Sequence, residues 1–368
     1  MRTLGRIIAC ILCIGSFFSV SACDLLSDTT VSVSATSDAN SDSATIEFFS
    51  MDTFMQITVF GTRANEAAEA AKSRVLAIEQ IFSRTLEDSE ISRIHQASAG
   101  SAVTVSEEAI ALLTRAIAAS DETDGAFDIT IAPIMSLWGF TEDSYYVPED
   151  AEITKLLPLV DSSKVLIDPE ARTVTLGVEG IAIDVGGIAK GYASDEVQKV
   201  LREYDCAGAL ISLGGNAAVM GNKPDGSAFR VAITDPSDPS SYLGVLTCKE
   251  TSIVTSGGYE RFFVEDGVTY IHIMDPKTGR PADSDLTSVT IVSSEGLRAD
   301  YLSTALFVMG REGAEAFWRE HRDFSMILCD ASGIIYVSED LVSDFEVTGE
   351  SYDKPVIVST EGGALNDR

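Results

Sequence analysis

The stretch Ile181-Ala182-Ile183-Asp184-Val185-Gly186-Gly187-Ile188-Ala189-Lys190-Gly191-Tyr192-Ala193 constrains this chain more than any other. An apolar run stops at a carboxylate and a glycine pair, and helix-forming sequence follows. The pattern predicts a strand, a tight glycine turn and a helix start. Paired glycines admit backbone angles that other residues avoid and let a ligand approach the main chain. The new helix offers unpaired N–H groups and a positive dipole end to a phosphate. Asp184 on the same turn would repel that phosphate unless a cation intervenes, which points to a nucleotide held through a metal ion. The same turn also serves a strand and helix that merely pack together, and the motif alone does not choose between the two.

The chain has 368 residues, 45% hydrophobic and 23% charged, enough to bury the core of one large domain or two intimate ones. Residues 1–22 read as a leader: Arg2 and Arg6 are basic, residues 7–20 are apolar, and Val20-Ser21-Ala22-Cys23 closes the segment. Small residues before Cys23 resemble a bacterial lipobox, so Cys23 is the expected lipidation site; the alternatives are an ordinary signal peptide cut near Ala22, or an uncleaved anchor. The apolar run is short for a membrane span. Residues 23–45, rich in Ser, Thr, Asp and Ala, are expected to form the lipid anchor and a flexible tether. This places the body on the extracytoplasmic face of a bacterial cell membrane.

The formal net charge of −31 makes nucleic acid and anionic lipid surfaces poor partners. A phosphate-rich ligand would then need local N–H donors and a divalent cation. Beyond Cys23, the remaining Cys206, Cys248 and Cys329 are odd in number and, from their surroundings, expected to be buried free thiols.

Residues 45–60 alternate apolar and polar, predicting a hairpin with Met51-Asp52 at the bend. A helix is expected over 65–82, then a polar loop with a cap at Asp88 or Ser89, and a second helix over 106–120 capped by Ser106. Trp138 is assigned to packing. Residues 142–163 read as a surface insert and 164–183 as three short strands. A helix over 189–204 is followed by strands near 207–213, 229–234, 243–250, 269–274 and 286–293. Helices over 297–309 and 312–321 and strands near 325–329 and 333–337 complete a body spanning 46–345, with 346–368 as a tail. Strands and helices mix without regular βαβ alternation, which fits an α+β fold with antiparallel-rich sheets.

On the helix over 297–309, Asp300, Ser303 and Thr304 project from one face. A carboxylate, hydroxyls, a main-chain carbonyl and ligand phosphates make a hard-oxygen set suited to Mg²⁺. The alternative has the hydroxyls bonding back to the preceding turn and Asp300 solvated. His272, one of three histidines, sits at a strand end before Asp275-Pro276, where a neutral imidazole could take a proton from a hydroxyl. A solitary strand histidine is more often structural.

Six ordered motifs give the chain a recognisable likeness: Gly125-Ala126-Phe127-Asp128; Asp184 through Ala193; Ser212-Leu213-Gly214-Gly215-Asn216; Thr255-Ser256-Gly257; His272-Ile273-Met274-Asp275-Pro276 with Thr278-Gly279; and Ala299-Asp300 with Ser303-Thr304-Ala305. In these, from about residue 48 to 337, the chain resembles the ApbE family of FAD:protein FMN transferases. The resemblance implies an ApbE-like, T-fold-like body. It also implies a Mg²⁺-dependent enzyme that splits FAD and passes FMN to a Thr or Ser hydroxyl of a partner through a phosphoester bond, releasing AMP. Carried over by position, Met51, Ala126, Phe127, Asp128, Asp184, Lys190 and Met274 fall where the family binds FAD. Asp300, Thr304 and the carbonyl of Gly187 fall where it binds magnesium, and Asp300 and His272 are the catalytic candidates, His272 by activating the acceptor hydroxyl.

Ser303 matches a position that is usually small and not a metal ligand, and Thr85 one that often holds a tyrosine against the flavin. The implied partner is an exported or membrane-bound redox protein that accepts the flavin. The chain has no acceptor-like Asp-Gly-Ala-Thr/Ser segment followed by Ala-Thr, so it is not expected to modify itself. Two alternatives are an FAD pyrophosphatase and a flavin-binding lipoprotein without chemistry.

Overall fold

The computed structural model describes residues 43–141 and 144–360. The leader, Cys23 and the tether up to residue 42 lie outside the described residues. Among those described, nine strands form one central sheet: β1 (Ser43–Ser50), β2 (Thr53–Phe60), β3 (Gly208–Leu213), β4 (Asn216–Gly221), β5 (Thr251–Gly257), β6 (Leu286–Ser293), β7 (Ser325–Asp330), β8 (Ile335–Ser338) and β9 (Val356–Val358). Spatial order follows chain order. All neighbours are antiparallel except the last pair, β8 and β9.

The two-residue period decides which way each side chain faces. Ala209, Ile211, Leu213, Ala218, Val254 and Met326 join a core under helices α1 (Ala64–Phe82), α2 (Glu107–Glu122), α3 (Gly186–Glu203) and α4 (Gly296–His321). Their alternates Leu210, Ala217, Val219, Ile253 and Ile327 face a second core. That second core is closed by a three-stranded sheet of Phe229–Asp235, Asp238–Cys248 and Phe345–Val347. Helix α1 contributes Ala67, Ala71, Val75, Ile78 and Phe82, the helical spacing seen in the sequence. The result is a helix–sheet–sheet stack, the α+β fold expected.

Several expectations hold in detail. Met51 and Asp52 both take left-handed angles (φ 51° and 58°) at the tip of the β1–β2 hairpin. Ser89 and Ser106 accept the N–H groups of Ser92 and Ala109 as helix caps. Helix α4 is interrupted at Gly310, with φ 71°, where the sequence predicts the end of one helix before another. Cys206, Cys248 and Cys329 are free thiols as expected, but only Cys329 is buried, Cys206 and Cys248 being half-buried. Among the described residues no helix is long and apolar enough to cross a membrane.

Three expectations are corrected. Residues 164–183 supply two strands, Val165–Asp168 and Thr173–Leu176, and not three. The apolar run at 181–183 is buried but unpaired as a strand, because its neighbours are other groups: the Ile183 N–H goes to His95 Nε2 at 2.8 Å and the Asp184 N–H to the Ile129 carbonyl at 2.6 Å. Residues beyond 345 are more than a tail, since β9 extends the central sheet and Phe345–Val347 the smaller one. The stretch read as a surface insert carries helix Asp150–Leu156, whose Ile153 packs with Ile134, Trp138, Phe140, Phe263 and Met274 in a third, small core.

Candidate functional site

Helices α3 and α4 run side by side, and small residues let their backbones touch. A Cβ on Gly191 would lie 2.1 Å from the Gly296 carbonyl oxygen and 2.7 Å from Asp300 Cβ. This close approach presents Asp300 to the backbone of α3: its Oδ2 accepts the Gly191 N–H at 2.8 Å, and the residue is only 4% exposed. Asp195 on α3 holds the start of α4, accepting the N–H groups of Gly296 at 2.7 Å and Leu297 at 2.9 Å. Burial pushes the Asp195 carboxyl up to about 6, opposed by those two N–H groups. Gly191→Ala is therefore expected to destabilise the fold by about 1–3 kcal/mol through overpacking. A thermal melt unchanged from wild type would show that the helices separate without cost.

The glycine pair works differently from the turn predicted. Gly186 and Gly187 belong to the first turn of α3, and neither has positive φ. Their value is space. A Cβ on Gly187 would come within 3.1 Å of the Phe127 ring and 3.7 Å of Thr304 Oγ1. Gly187 thus faces Thr304, and its lack of a side chain lets the Phe127 ring and Thr304 pack against the first turn of α3.

The structure separates the two hydroxyls of the α4 face. Ser303 is fully buried; its Oγ donates to the Asp300 carbonyl at 2.8 Å and meets Ser256 Oγ at 2.8 Å. That is the back-bonded role, and it removes Ser303 from the ligand set. Thr304 Oγ1 has only a 3.4 Å contact with Ser256 Oγ. Thr304 Oγ1 thus lies beside Gly187, and Asp300 meets α3 one turn further along, at Gly191. One carboxylate with neutral oxygens suits a hard cation that keeps water and phosphate ligands. Among the described residues no group of three or more His, Cys, Asp or Glu side chains could hold a metal.

Asp184 is not an uncompensated charge. Arg84 forms a salt bridge to its Oδ2, and Oδ1 accepts the Gly186 N–H at 2.8 Å, so the carboxylate fastens the start of α3. The cation that the sequence required near Asp184 is thus a side chain. Asp128 is likewise occupied by the fold: Oδ1 accepts from Thr130 N and Oγ1 at 2.7 and 2.6 Å, and Oδ2 from Ser162 N at 3.1 Å and Ser120 Oγ at 3.3 Å. It shapes the segment after Ala126 and Phe127, both buried, with the Phe127 ring 5.8 Å from that of Tyr301.

His272 is half-buried at the foot of a hairpin. The Arg261 carbonyl accepts its backbone N–H at 3.0 Å and faces its Nδ1 at 3.1 Å. Only a protonated Nδ1 fits a carbonyl, which leaves Nε2 as the acceptor nitrogen. Burial and the Arg261 charge hold the imidazole down at about 4, with Lys190 contributing in the same sense. Lys190 donates to the Gly186 carbonyl at 3.2 Å. It also lies within electrostatic reach of Glu260, a solvent-exposed residue whose carboxyl the neighbouring protein pushes up to about 7. Lys190 lowers that value and Asp300 raises it.

Met274 is buried in the small core beside Trp138, whose Nε1–H donates to the Gly279 carbonyl at 2.9 Å. Met51 sits at the tip of the β1–β2 hairpin, packed against the main core, and Glu79 accepts its N–H at 2.7 Å. Thr85 is exposed and bonded to Ser83. The structure therefore brings Phe127 and Thr304 against Gly187 and Asp300 against Gly191, sets Lys190 within electrostatic reach of Glu260 and His272, and uses Asp184 and Asp128 to hold the local backbone. Residues missed from the sequence are Arg84, Ser256, Glu260 and the anchoring His95. Arg84 is the one cation in the polar loop after α1, and Ser256 stands within a motif already singled out; neither signal carries meaning until its partner is known.

The sequence matches the family model for the ApbE family over residues 51–328. It is 35% identical over 275 residues to a protein of Klebsiella pneumoniae named FAD:protein FMN transferase, covering 73% of this chain and 85% of that one. Its fold is similar to the crystal structure of the ApbE protein from Thermotoga maritima, with a TM-score of 0.75 and 33% identity over 81% of this chain and 97% of that one. It is also similar to the apo form of Pseudomonas stutzeri flavinyl transferase ApbE, with a TM-score of 0.75 and 26% identity over 84% and 98% of the two chains.

Proposed function

Because the chain belongs to the ApbE family, we propose that it is an FAD:protein FMN transferase. It moves the FMN part of FAD onto a Thr or Ser hydroxyl of a partner protein and releases AMP. The observation that supports this reading is that Thr304 lies beside Gly187 and Asp300 beside Gly191 on the first turns of α3, with Lys190 of the same helix within electrostatic reach of His272. In the reaction the acceptor oxygen forms a bond to the FMN-side phosphorus while the bridging P–O bond breaks. The hydroxyl proton goes to His272 Nε2, and the electron pair of the broken bond leaves on AMP.

Positioning and charge stabilisation dominate such a displacement. Lys190 and the open first turn of α3 attract the pyrophosphate in a chain whose net charge of −31 would otherwise repel it. Arg84 cancels the Asp184 charge beside that turn. The ordered Nδ1–H bond to Arg261 aims the neutral imidazole. Asp300, Thr304 and the Gly187 carbonyl would hold a magnesium ion, which when bound supplies neutralisation of pyrophosphate charge.

Lipidation at Cys23 and residence on the outer face of a bacterial membrane, acting on exported or membrane-bound redox proteins, complete the reading. The test is to incubate membrane and soluble fractions of producing cells with FAD, Mg²⁺ and a candidate acceptor, then measure acceptor mass and AMP. The expected result is an FMN mass gain with equimolar AMP from the membrane fraction. AMP without mass gain would make the protein an FAD pyrophosphatase, no AMP a flavin binder, and activity confined to the soluble fraction would remove the lipid anchor.

A further inference from the structure

The hairpin that ends at His272 has a task that FAD binding does not explain. It pairs Phe262–Glu265 with Val268–Ile271, and among the described residues no third strand joins it. Its two faces differ. On one, Phe263 and Tyr270 stack 5.1 Å apart, with Phe263 against Phe140 and Tyr270 against Trp138, which anchors the ribbon to the small core. On the other, Phe262 lies opposite Ile271, and Val264 opposite Thr269. Phe262 is 48% and Val264 59% exposed, while Ile271 is half-buried towards Gly258. An apolar stripe thus runs along the open face from the ribbon tip to the residue before His272. Two exposed large side chains on a ribbon rigidly anchored by its other face are an unmet burial, and both outer edges offer unpaired backbone groups.

We propose that this face is the docking surface for the acceptor protein, which lays an extended segment along Phe262, Val264 and Ile271 and thereby delivers its hydroxyl to His272. The proposal rests on the transferase reading above. Continuity fixes the occupant: the stripe leads to the imidazole that an acceptor hydroxyl must reach, and a sheet-edge segment gains main-chain hydrogen bonds and side-chain pockets together. Charge narrows it further. The ribbon tip carries Glu265 and Asp266, and Glu265 is within electrostatic reach of Tyr146, whose hydroxyl donates to Glu152 at 2.6 Å. An apolar segment flanked by lysines or arginines complements this acidic rim, whereas a second copy of this chain, at −31, would bring the same charges into opposition.

The test compares the full-length protein in detergent with the double variant Phe262→Ser/Val264→Ser and with Val264→Lys. The probe is a small carrier protein ending in a lysine-flanked Asp-Gly-Ala-Thr segment. Transfer is followed by carrier mass and FAD affinity by flavin fluorescence. Both variants are expected to raise KM for the carrier about tenfold, leaving kcat and FAD affinity near wild type, which also shows that they fold. Unchanged KM in both overturns the docking surface alone. Loss of FAD binding with KM would assign the ribbon to the FAD site and overturn it too. AMP from the wild type without mass gain in the carrier overturns the transferase reading, and the docking proposal with it.

Discussion

Asp300→Ala is expected to abolish cation-dependent turnover, lowering kcat by about a thousandfold or more, while FAD affinity falls much less. Asp300 supplies the only carboxylate of the proposed hard-oxygen set, so its removal leaves two neutral oxygens, which bind a divalent cation weakly. The alanine variant also deprives the Gly191 N–H of its acceptor at the helix contact, so lost activity alone would be ambiguous. Asp300→Asn resolves this. Its amide oxygen still accepts from Gly191 and its volume is nearly unchanged, so it should keep a wild-type thermal melt yet lose cation affinity and turnover. Binding of Mn²⁺, followed by its electron paramagnetic resonance, reads the metal directly. Full activity or full Mn²⁺ affinity in Asp300→Asn would remove Asp300 from the site.

His272→Ala should slow transfer by on the order of 10²–10⁴-fold, the usual worth of a positioned acid–base group, with bound FAD retained. The pH dependence gives the sharper result. Burial and the neighbouring Arg261 charge hold this imidazole at about 4 in the free protein. A general base must be unprotonated, so the activating form persists as pH falls until about 4. The acid limb of kcat/KM is therefore expected well below the 6.5 of an ordinary histidine. The alanine variant should lack that limb. A wild-type midpoint near 6.5, or an unchanged rate in His272→Ala, would place acceptor activation elsewhere.

Much of the fold was legible because its signals are local. The alternation over 45–60, the helical spacing over 65–82 and the caps at Ser89 and Ser106 each depend on side chains a few residues apart, and each stands in the structure as read. The errors came where partners are distant. Residues 181–183 have the composition of a strand, but His95 and the Ile129 carbonyl, far away in the chain, take the adjoining N–H groups. Val356–Val358 is too short to announce itself and becomes a strand because β8 offers an edge.

The site divides in the same way. The resemblance carried by the ordered motifs named Gly187, Asp300, Thr304 and His272 as candidates, a set that the cation-binding and pH experiments above test. Helical spacing alone could not separate Ser303 from Thr304, because both sit on one helix face, and only the family resemblance set Ser303 aside; the position of Ser256 on β5 gives the physical reason, binding the Ser303 hydroxyl internally. Nor could it show that Asp184 is neutralised by Arg84, 100 residues earlier, or that Asp128 is consumed by Thr130 and Ser162. Local pattern determined which elements form and which chemical groups the chain possesses. Only the tertiary structure decided which of those groups are already satisfied by hydrogen bonds and which are left for a ligand, because satisfaction depends on partners that chain spacing does not specify.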